Sequence, residues 1–213
     1  MSTDGVALDG RALGKRGALT RSRLLEATTR LLDDAGVREL RVVDIARDVG
    51  TSPATFYQYF RDVDEAVLAL AEDVGEDLAP LGDLLARDWS GPDGLAVARR
   101  LVDAFIEYWD SHRAVLRTRN LAAQEGDHRF RAVRNESLRP LREGLADKVA
   151  AAQREGRVGA GMAPMAAAAA LASMMERMAA FHAELEPLGV DRDDLVETTA
   201  RILHQTVTGQ VTP

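Results

Sequence analysis

Hydrogen-bonding side chains cluster at residues 51–60, where the chain reads Thr-Ser-Pro-Ala-Thr-Phe-Tyr-Gln-Tyr-Phe. In a helix, Ala54 and Gln58 lie on one face, and Tyr57 and Tyr59 lie on the two flanks of that face. An amide can hydrogen-bond to a base edge in the major groove, and hydroxyl groups beside it can reach the two phosphate backbones. The spacing therefore predicts a helix that reads duplex DNA.

A second interpretation of the same residues needs no DNA. Phe56 and Phe60 fall on the opposite face of the helix, where they would point into a core. An ordinary helical hairpin could use its two tyrosines only to cover that core. The sequence around the cluster has to distinguish the two interpretations.

A short helix is predicted directly before the cluster. Residues 42–49 carry apolar side chains at the i, i+3, i+4, i+7 spacing of one helix face. Gly50 can end this helix because a residue without Cβ accepts the left-handed cap. Ser52 can cap the next helix, and Pro53 suits its first position. Together these signals predict a helix-turn-helix.

A further helix is predicted on each side of this pair. Thr20 can cap a helix over 21–35, which Gly36 ends. Asp62 and Glu65 have nearly the spacing of a capping box and start a fourth helix. The first of these helices is needed because two short helices alone cannot bury enough surface.

The distribution of charge favours the DNA interpretation. Residues 10–61 contain ten basic and six acidic side chains, a net charge of +4, whereas residues 62–213 carry −9. No acidic residue interrupts the first five of these basic residues, which are Arg11, Lys15, Arg16, Arg21 and Arg23. Positive charge is thus concentrated where phosphate would be contacted, although the whole chain carries −7. A solvated basic tail is the alternative for the start of this stretch.

These segments resemble the TetR/AcrR family of bacterial transcriptional repressors. The resemblance covers roughly residues 18–70 and is carried by the first helix, by Glu-Leu-Arg-Val-Val-Asp-Ile-Ala at 39–46, and by residues 49–60. The remaining two thirds are similar to the family only in length and helical pattern. The resemblance implies a homodimer on a palindromic operator, and a C-terminal domain that binds a small molecule and releases the DNA.

Two positions depart from the family pattern. Arg41 stands where the family usually has a phosphate-contacting threonine, and arginine is the poorer helix cap. Val63 stands where the family often has a lysine, so one phosphate contact per subunit is missing. We expect a slightly weaker, less salt-dependent operator complex unless the N-terminal arginines compensate. The predicted DNA-binding residues are Lys15, Arg16, Arg21, Arg23, Arg41, Thr51, Ser52, Ala54, Thr55, Tyr57, Gln58 and Tyr59.

The periodicity predicts an all-α protein of about nine helices. Residues 1–17 are expected to form a flexible basic arm, residues 18–64 a three-helix helix-turn-helix DNA-binding domain, and residues 65–213 a helical ligand-binding and dimerisation domain. Proline and glycine residues interrupt helices, and their positions in the C-terminal domain predict helices over 95–111, 113–124, 127–154, 163–186 and 191–208.

The last two predicted helices have the composition of a subunit interface. Residues 166–172 are almost all alanine, and small side chains let helices approach closely. Two such helices from each subunit would form a four-helix bundle, and an operator of this kind needs a second recognition helix about 34–36 Å away. The predicted interface residues are Leu171, Met175, Leu195, Ile202, Leu203 and Thr206. The alternative is that both helices close the core of one chain.

Aromatic and methionine side chains at helical spacing suggest a pocket, although such residues equally well fill a plain core. Five of the six methionines lie between residues 162 and 178, and methionine suits surfaces that repack. Guided by the family resemblance, we predict an apolar effector of unknown identity. The predicted ligand-binding residues are Phe105, Tyr108, Trp109, His112, Met174, Met178 and Phe181.

Other chemistry has little support in the sequence. The chain has no cysteine, its histidines lack a ligand-like spacing, and the glycines at 156–161 are not followed by the lysine of a phosphate loop. No serine lies in a nucleophile motif. We therefore expect no catalysis, no metal and no cofactor. Without a long apolar stretch or signal peptide, we expect a cytoplasmic protein without membrane contact.

Two functions of different kinds remain open. The first is a ligand-responsive transcriptional repressor that binds an operator as a dimer. The second is an architectural DNA-binding protein that uses the same motif, has a filled C-terminal core and responds to no effector.

Overall fold

The computed structural model describes residues 12–35 and 39–211. Most of the predicted N-terminal arm and Gly36, the predicted end of the first helix, lie outside these residues. Eleven α-helices and the 3₁₀ helix Glu186–Leu188 are found in the described part of the chain. The α-helices are α1 Lys15–Ala35, α2 Val42–Val49, α3 Pro53–Phe56, α4 Val63–Glu76, α5 Leu81–Ala86, α6 Gly94–Ser111, α7 Arg113–Gln124, α8 His128–Ser137, α9 Arg139–Arg154, α10 Pro164–Leu185 and α11 Arg192–Thr208. The all-α prediction is confirmed.

The helix count exceeds the predicted nine for two local reasons. The predicted helix over 127–154 is divided into α8 and α9 at Leu138, and Pro140 lies in the first turn of α9, where its missing N–H is not needed. The short helix α5 follows Pro80 and was not among the predicted helices.

Helix α1 begins earlier than predicted. Lys15 is its first residue, so residues 15–17 are helical, and the prediction that the flexible arm extends to residue 17 is wrong for them. The Thr20 hydroxyl donates to the carbonyl of Arg16 at 3.0 Å inside the helix, so Thr20 is not the N-cap. Lysine, arginine, alanine and leucine in this stretch favour helix strongly enough to tolerate Gly17.

The chain divides into two compact units. The N-terminal unit contains residues 1–76 and 112–135, and the C-terminal unit contains residues 77–111 and 136–213. The domain boundary that the sequence predicts after residue 64 falls inside α4, and residues 112–135 group with the helix-turn-helix because α7 packs against α1 and α4.

Each unit has its own apolar core. In the N-terminal unit, α2 packs against α1 and α3, and the core includes Leu24, Ile45 and Phe56. In the C-terminal unit, α6 packs against α5, α10 and α11, and α9 packs against the same three helices. None of the helices in the described residues is both long enough and apolar enough to cross a bilayer.

Two arginines hold the Glu197 carboxylate on the surface of the C-terminal unit. Arg99 on α6 donates to it through Nε and, at 2.8 Å, through Nη2, and Arg201 Nε donates to it at 2.5 Å. The hydrogen bond from Arg99, followed by that from Arg201, lowers the pKa of Glu197 to about 2. The ion pair therefore links α6 to α11 over most of the pH range.

Glu197→Gln is expected to destabilise the protein near pH 7 and to change how its stability depends on pH. A lowered pKa means that the carboxylate stabilises the fold fully above the ordinary glutamate pKa and loses this contribution as the pH falls toward about 2. The difference in urea midpoint between the parent and the variant should therefore shrink between about pH 5 and pH 2. Glu184→Gln, at an exposed position of α10, is the control. A difference that stays constant over this range would contradict the assignment.

Candidate functional site

The turn between α2 and α3 has the predicted geometry. Gly50 is in the left-handed region at φ 71°, and the N–H of Thr51 donates to the Ala46 carbonyl at 2.8 Å. The Ser52 hydroxyl accepts a hydrogen bond from the N–H of Thr55 at 3.2 Å, and Pro53 follows as the first residue of α3. The helix-turn-helix prediction is confirmed at this level.

The recognition helix is shorter than the predicted span of 52–60. Helix α3 ends at Phe56, and residues 57–59 continue as turns, with Tyr59 N–H donating to the Phe56 carbonyl at 2.9 Å. Phe56 and Phe60 are buried with their ring centroids 5.5 Å apart, as predicted. These two rings anchor the segment to the core of the N-terminal unit.

The polar side chains of this segment remain available to a partner. Ala54 and Gln58 are exposed, Tyr57 is 52% exposed, and Tyr59 is half-buried. Neither tyrosine is sealed in the core, so both hydroxyl groups can reach a partner. The face can present one amide and two hydroxyl groups.

The structure corrects the prediction for Arg21. This side chain is only 6% exposed, and its guanidinium stacks over the Phe60 ring at 5.4 Å from the centroid. A side chain so buried is not presented to a DNA phosphate. Arg21 instead supports the recognition segment from behind, since an arginine over an aromatic face is stabilising.

The other basic residues of α1 are exposed. Lys15 and Arg16 lie in its first turn, and Arg23 Nη2 donates to the Val49 carbonyl at 3.3 Å, at the end of α2. Arg23, on α1, thus bonds to the C-terminal end of α2, the helix that comes directly before the recognition helix α3. These three cations remain candidates for phosphate contact.

Arg41 is exposed but paired. It flanks α2 without a side-chain capping hydrogen bond, and its Nε donates to Asp44 Oδ2 at 2.8 Å. This hydrogen bond to Asp44 raises the pKa of Arg41. A phosphate at this position would therefore have to compete with the Asp44 carboxylate.

The sequence placed Asp62 and Glu65 at the start of α4, but it did not identify the arginine ion pairs nearby. Arg61 Nη2 pairs with Glu65 at 3.1 Å, and Arg129 Nη2 pairs with Asp127 at 2.7 Å, where its hydrogen bond is the main reason that the pKa of Asp127 falls to about 2. Burial raises the pKa of Asp64, and the nearby Arg129 partly opposes that rise. The only feature of the sequence that could have indicated these ion pairs is the group of six arginines between residues 113 and 134. The sequence does not show which acidic side chains those arginines contact.

The predicted ligand-binding residues fall on two packed helices, with one exception. Phe105, Tyr108 and Trp109 are buried on α6, and α6 packs against α10. Three further residues of the predicted ligand site lie on α10 and are half-buried: Met174, Met178 and Phe181. His112 belongs to the N-terminal unit and not to the unit of the other six.

The structure corrects most of the predicted dimer interface. Four of its residues are buried in the core of this one chain and are closed to a partner: Leu171, Met175, Leu195 and Leu203. Ile202 is 41% exposed and Thr206 is half-buried. The apolar stripe of each helix mainly closes the C-terminal unit itself, as the alternative interpretation proposed.

A cleft of about 350 Å³ lies in the N-terminal unit, and none of its lining residues belongs to the predicted ligand site. It is lined by Leu31, Glu39, Leu40, Asp44, Arg47 and Asp48. Within residues 12–35 and 39–211, no three histidine, aspartate or glutamate side chains are grouped so as to hold a metal ion.

A capped helix-turn-helix in an otherwise helical chain is typical of DNA-binding proteins. Residues 24–70 match the family described as bacterial regulatory proteins, tetR family, and residues 81–213 match the tetracyclin repressor-like C-terminal domain. The chain belongs to the TetR family of transcriptional regulators, as the sequence predicted.

Known relatives agree with this assignment. The HTH-type transcriptional regulator EthR of Mycobacterium tuberculosis is 30% identical over 94 residues, which are 44% of this chain and 44% of EthR. The alignment thus spans less than half the length of this curated relative.

Solved structures show the same fold. FadR, a fatty acid degradation regulator from Bacillus halodurans, superposes with a TM-score of 0.65 at 15% identity, covering 93% of this chain and 97% of that one. Thermus thermophilus FadR, in complex with lauroyl-CoA, has a TM-score of 0.60 at 22% identity, covering 91% and 97%. Bacillus subtilis FadR, in complex with stearoyl-CoA, has a TM-score of 0.61 at 15% identity, covering 89% and 98%.

Proposed function

We propose that the protein is a ligand-responsive repressor that binds a palindromic operator as a homodimer and releases it when a small, mostly apolar molecule occupies the C-terminal unit. The observation that carries the proposal is the exposed face of Ala54, Tyr57 and Gln58. Two buried phenylalanines hold this face in place.

The DNA contacts divide by chemistry. Gln58 is proposed to read a base edge, because an amide can form two hydrogen bonds with adenine. The proposed phosphate contacts come from hydroxyl groups and exposed cations, which position the protein without reading sequence. They are Lys15, Arg16, Arg23, Arg41, Thr51, Ser52, Thr55, Tyr57 and Tyr59.

The proposed dimer contact uses the residues that remain accessible on α10 and α11. Met165, Ala170 and Ser173 are exposed on α10, and Ile202 is exposed on α11. These two helices pack against each other in the C-terminal unit. Four such helices, two from each subunit, would place two recognition segments on one operator.

The proposed effector is an apolar molecule bound by α6 and α10. The FadR neighbours in complex with lauroyl-CoA and stearoyl-CoA make acyl-CoA the class to test first. The effector must bind the released state more tightly than the DNA-bound state, with a coupling of about 1–3 kcal/mol in ordinary allosteric proteins.

Gln58→Ala is expected to change sequence preference, whereas Tyr57→Phe is expected to weaken binding to all sequences alike. A bidentate base contact contributes about 1–3 kcal/mol of discrimination, so single-base preferences should change by roughly ten-fold or more at one position per half-site. Losing one phenolic hydroxyl should cost a uniform factor of a few. The assay is selection from a random duplex library, followed by fluorescence anisotropy on single-base variants of the selected site.

Two outcomes would contradict the proposed DNA contact. The first is a selection that enriches no sequence, and the second is a Gln58→Ala variant with the same single-base preference ratios as the parent. A third measurement tests the switch: operator affinity that is unchanged when the protein is saturated with lauroyl-CoA would favour the effector-independent architectural protein.

A further inference from the structure

The indole of Trp109 is buried without a hydrogen-bond partner. Trp109 is 2% exposed, and its Nε1 finds no acceptor within the described part of the chain. The only other tryptophan, Trp89, is equally buried, but its Nε1 donates to the Leu84 carbonyl at 3.0 Å. The two indoles therefore differ in one respect that matters for binding.

An unsatisfied donor of this kind calls for a physical explanation. More than nine in ten buried polar groups in folded proteins are hydrogen-bonded, because a donor removed from water without an acceptor costs free energy. Tryptophan carries one donor and no acceptor, so only a group with an acceptor atom can satisfy it. A bound molecule can supply that acceptor.

The surroundings of Trp109 suit an apolar molecule. Val102, Phe105 and Ile106 precede it on the same face of α6 and are all buried. Asp110, the next residue, pairs with His182 Nε2 of α10 at 2.9 Å, which holds the end of α6 against α10 beside Phe181. The neighbourhood offers apolar contact, and the indole N–H is a free donor within it.

We propose that Trp109 is the polar anchor of the effector site, and that its indole N–H donates to the carbonyl oxygen of a molecule that is otherwise mostly apolar, such as an acyl thioester. This inference rests on the proposed function and narrows the effector to a class with a carbonyl acceptor next to an alkyl chain. The hydrogen bond exists only when the effector is bound, so it contributes fully to affinity and orients the chain along α6.

The test compares two probes that differ by one carbonyl. Lauroyl-CoA has a thioester, and S-dodecyl-CoA has a methylene in place of its C=O group. We expect the full-length parent to bind lauroyl-CoA roughly ten-fold more tightly, and Trp109→Phe, which keeps an aromatic ring but has no donor, to reduce that ratio to about one. Binding is measured by calorimetry, and circular dichroism checks that the variant is folded.

The two tryptophans supply an internal control. In ¹⁵N-labelled protein they give two indole signals, and the one missing in Trp109→Phe belongs to Trp109. Lauroyl-CoA should move that signal and leave the Trp89 signal in place, whereas S-dodecyl-CoA should cause a much smaller shift. Equal affinities of the parent for both probes, an unchanged ratio in Trp109→Phe, an unmoved Trp109 signal or no binding of either probe would each overturn the inference. Binding that shows the expected ratio but does not release DNA would support the anchor and contradict only the proposed switch.

Discussion

Gly94→Ala is expected to lower the melting temperature of the protein by roughly 6–12 °C, because overpacking at a rigid position costs about 3 kcal/mol and each kcal/mol is worth about 2–4 °C at this size. A Cβ atom at Gly94 would lie 1.8 Å from the carbonyl oxygen of Trp89 and 2.9 Å from His204 Nε2. The Trp89 carbonyl cannot easily move away. It accepts from His204 Nε2 at 2.9 Å, and the Trp89 indole is bonded to the Leu84 carbonyl.

Gly82→Ala is the matched control for this prediction. Gly82 lies in α5, in the same compact unit, and an added Cβ would meet nothing within 4 Å. Alanine in place of a helical glycine should be neutral or should stabilise by up to about 1 kcal/mol. Differential scanning calorimetry distinguishes the two variants, and equal melting temperatures would contradict the close approach of α6 to residue 89.

Phe56→Ala is expected to destabilise the N-terminal unit by about 3–5 kcal/mol and to abolish specific DNA binding. Phe56 is fully buried, packs on Phe60 and meets the Tyr57 ring edge-on at 5.9 Å. Its loss leaves a cavity directly behind the exposed face that the proposed DNA contact uses. Urea unfolding measures the loss of stability, and anisotropy with the selected duplex measures the loss of binding.

Tyr57→Ala separates the two effects of that substitution. Tyr57 is about half exposed, so its removal should weaken DNA binding with little change in stability. If Phe56 holds the recognition segment, Phe56→Ala must lose both stability and DNA binding. If Tyr57 only contacts DNA, Tyr57→Ala must lose DNA binding alone. A Phe56→Ala variant with the stability of the parent would show that the aromatic pair does not hold the recognition segment.

Features encoded within one or two helical turns were predicted from the sequence. Gly50, Ser52 and Pro53 act on neighbouring backbone groups, so the turn follows from them without knowledge of the rest of the fold. The alternation of buried phenylalanines with exposed Ala54 and Gln58 follows from helical geometry in the same way. For this reason the family, the fold class and the face of the recognition segment could be predicted.

Features that depend on distant neighbours were missed or wrong. Arg21 has the same side chain as Arg23, yet Arg21 is buried over the Phe60 ring and Arg23 is exposed, a difference that the residue type does not show. Arg129 lies 65 residues beyond Asp64, and only the packing of the N-terminal unit brings their charges together.

By itself, the sequence determined most of the local elements: which stretches form helices and which of their faces are apolar. Only the tertiary structure decided what each apolar face touches. Leu171 and Leu203 have the pattern of an interface, yet they close the core of their own chain. The sequence pattern cannot distinguish the two cases, because burial stabilises an apolar side chain equally whether the covering surface comes from the same chain or from another. The unpaired indole of Trp109 is a result of the same kind, since no pattern along α6 shows which donors will find an acceptor once the helices have packed.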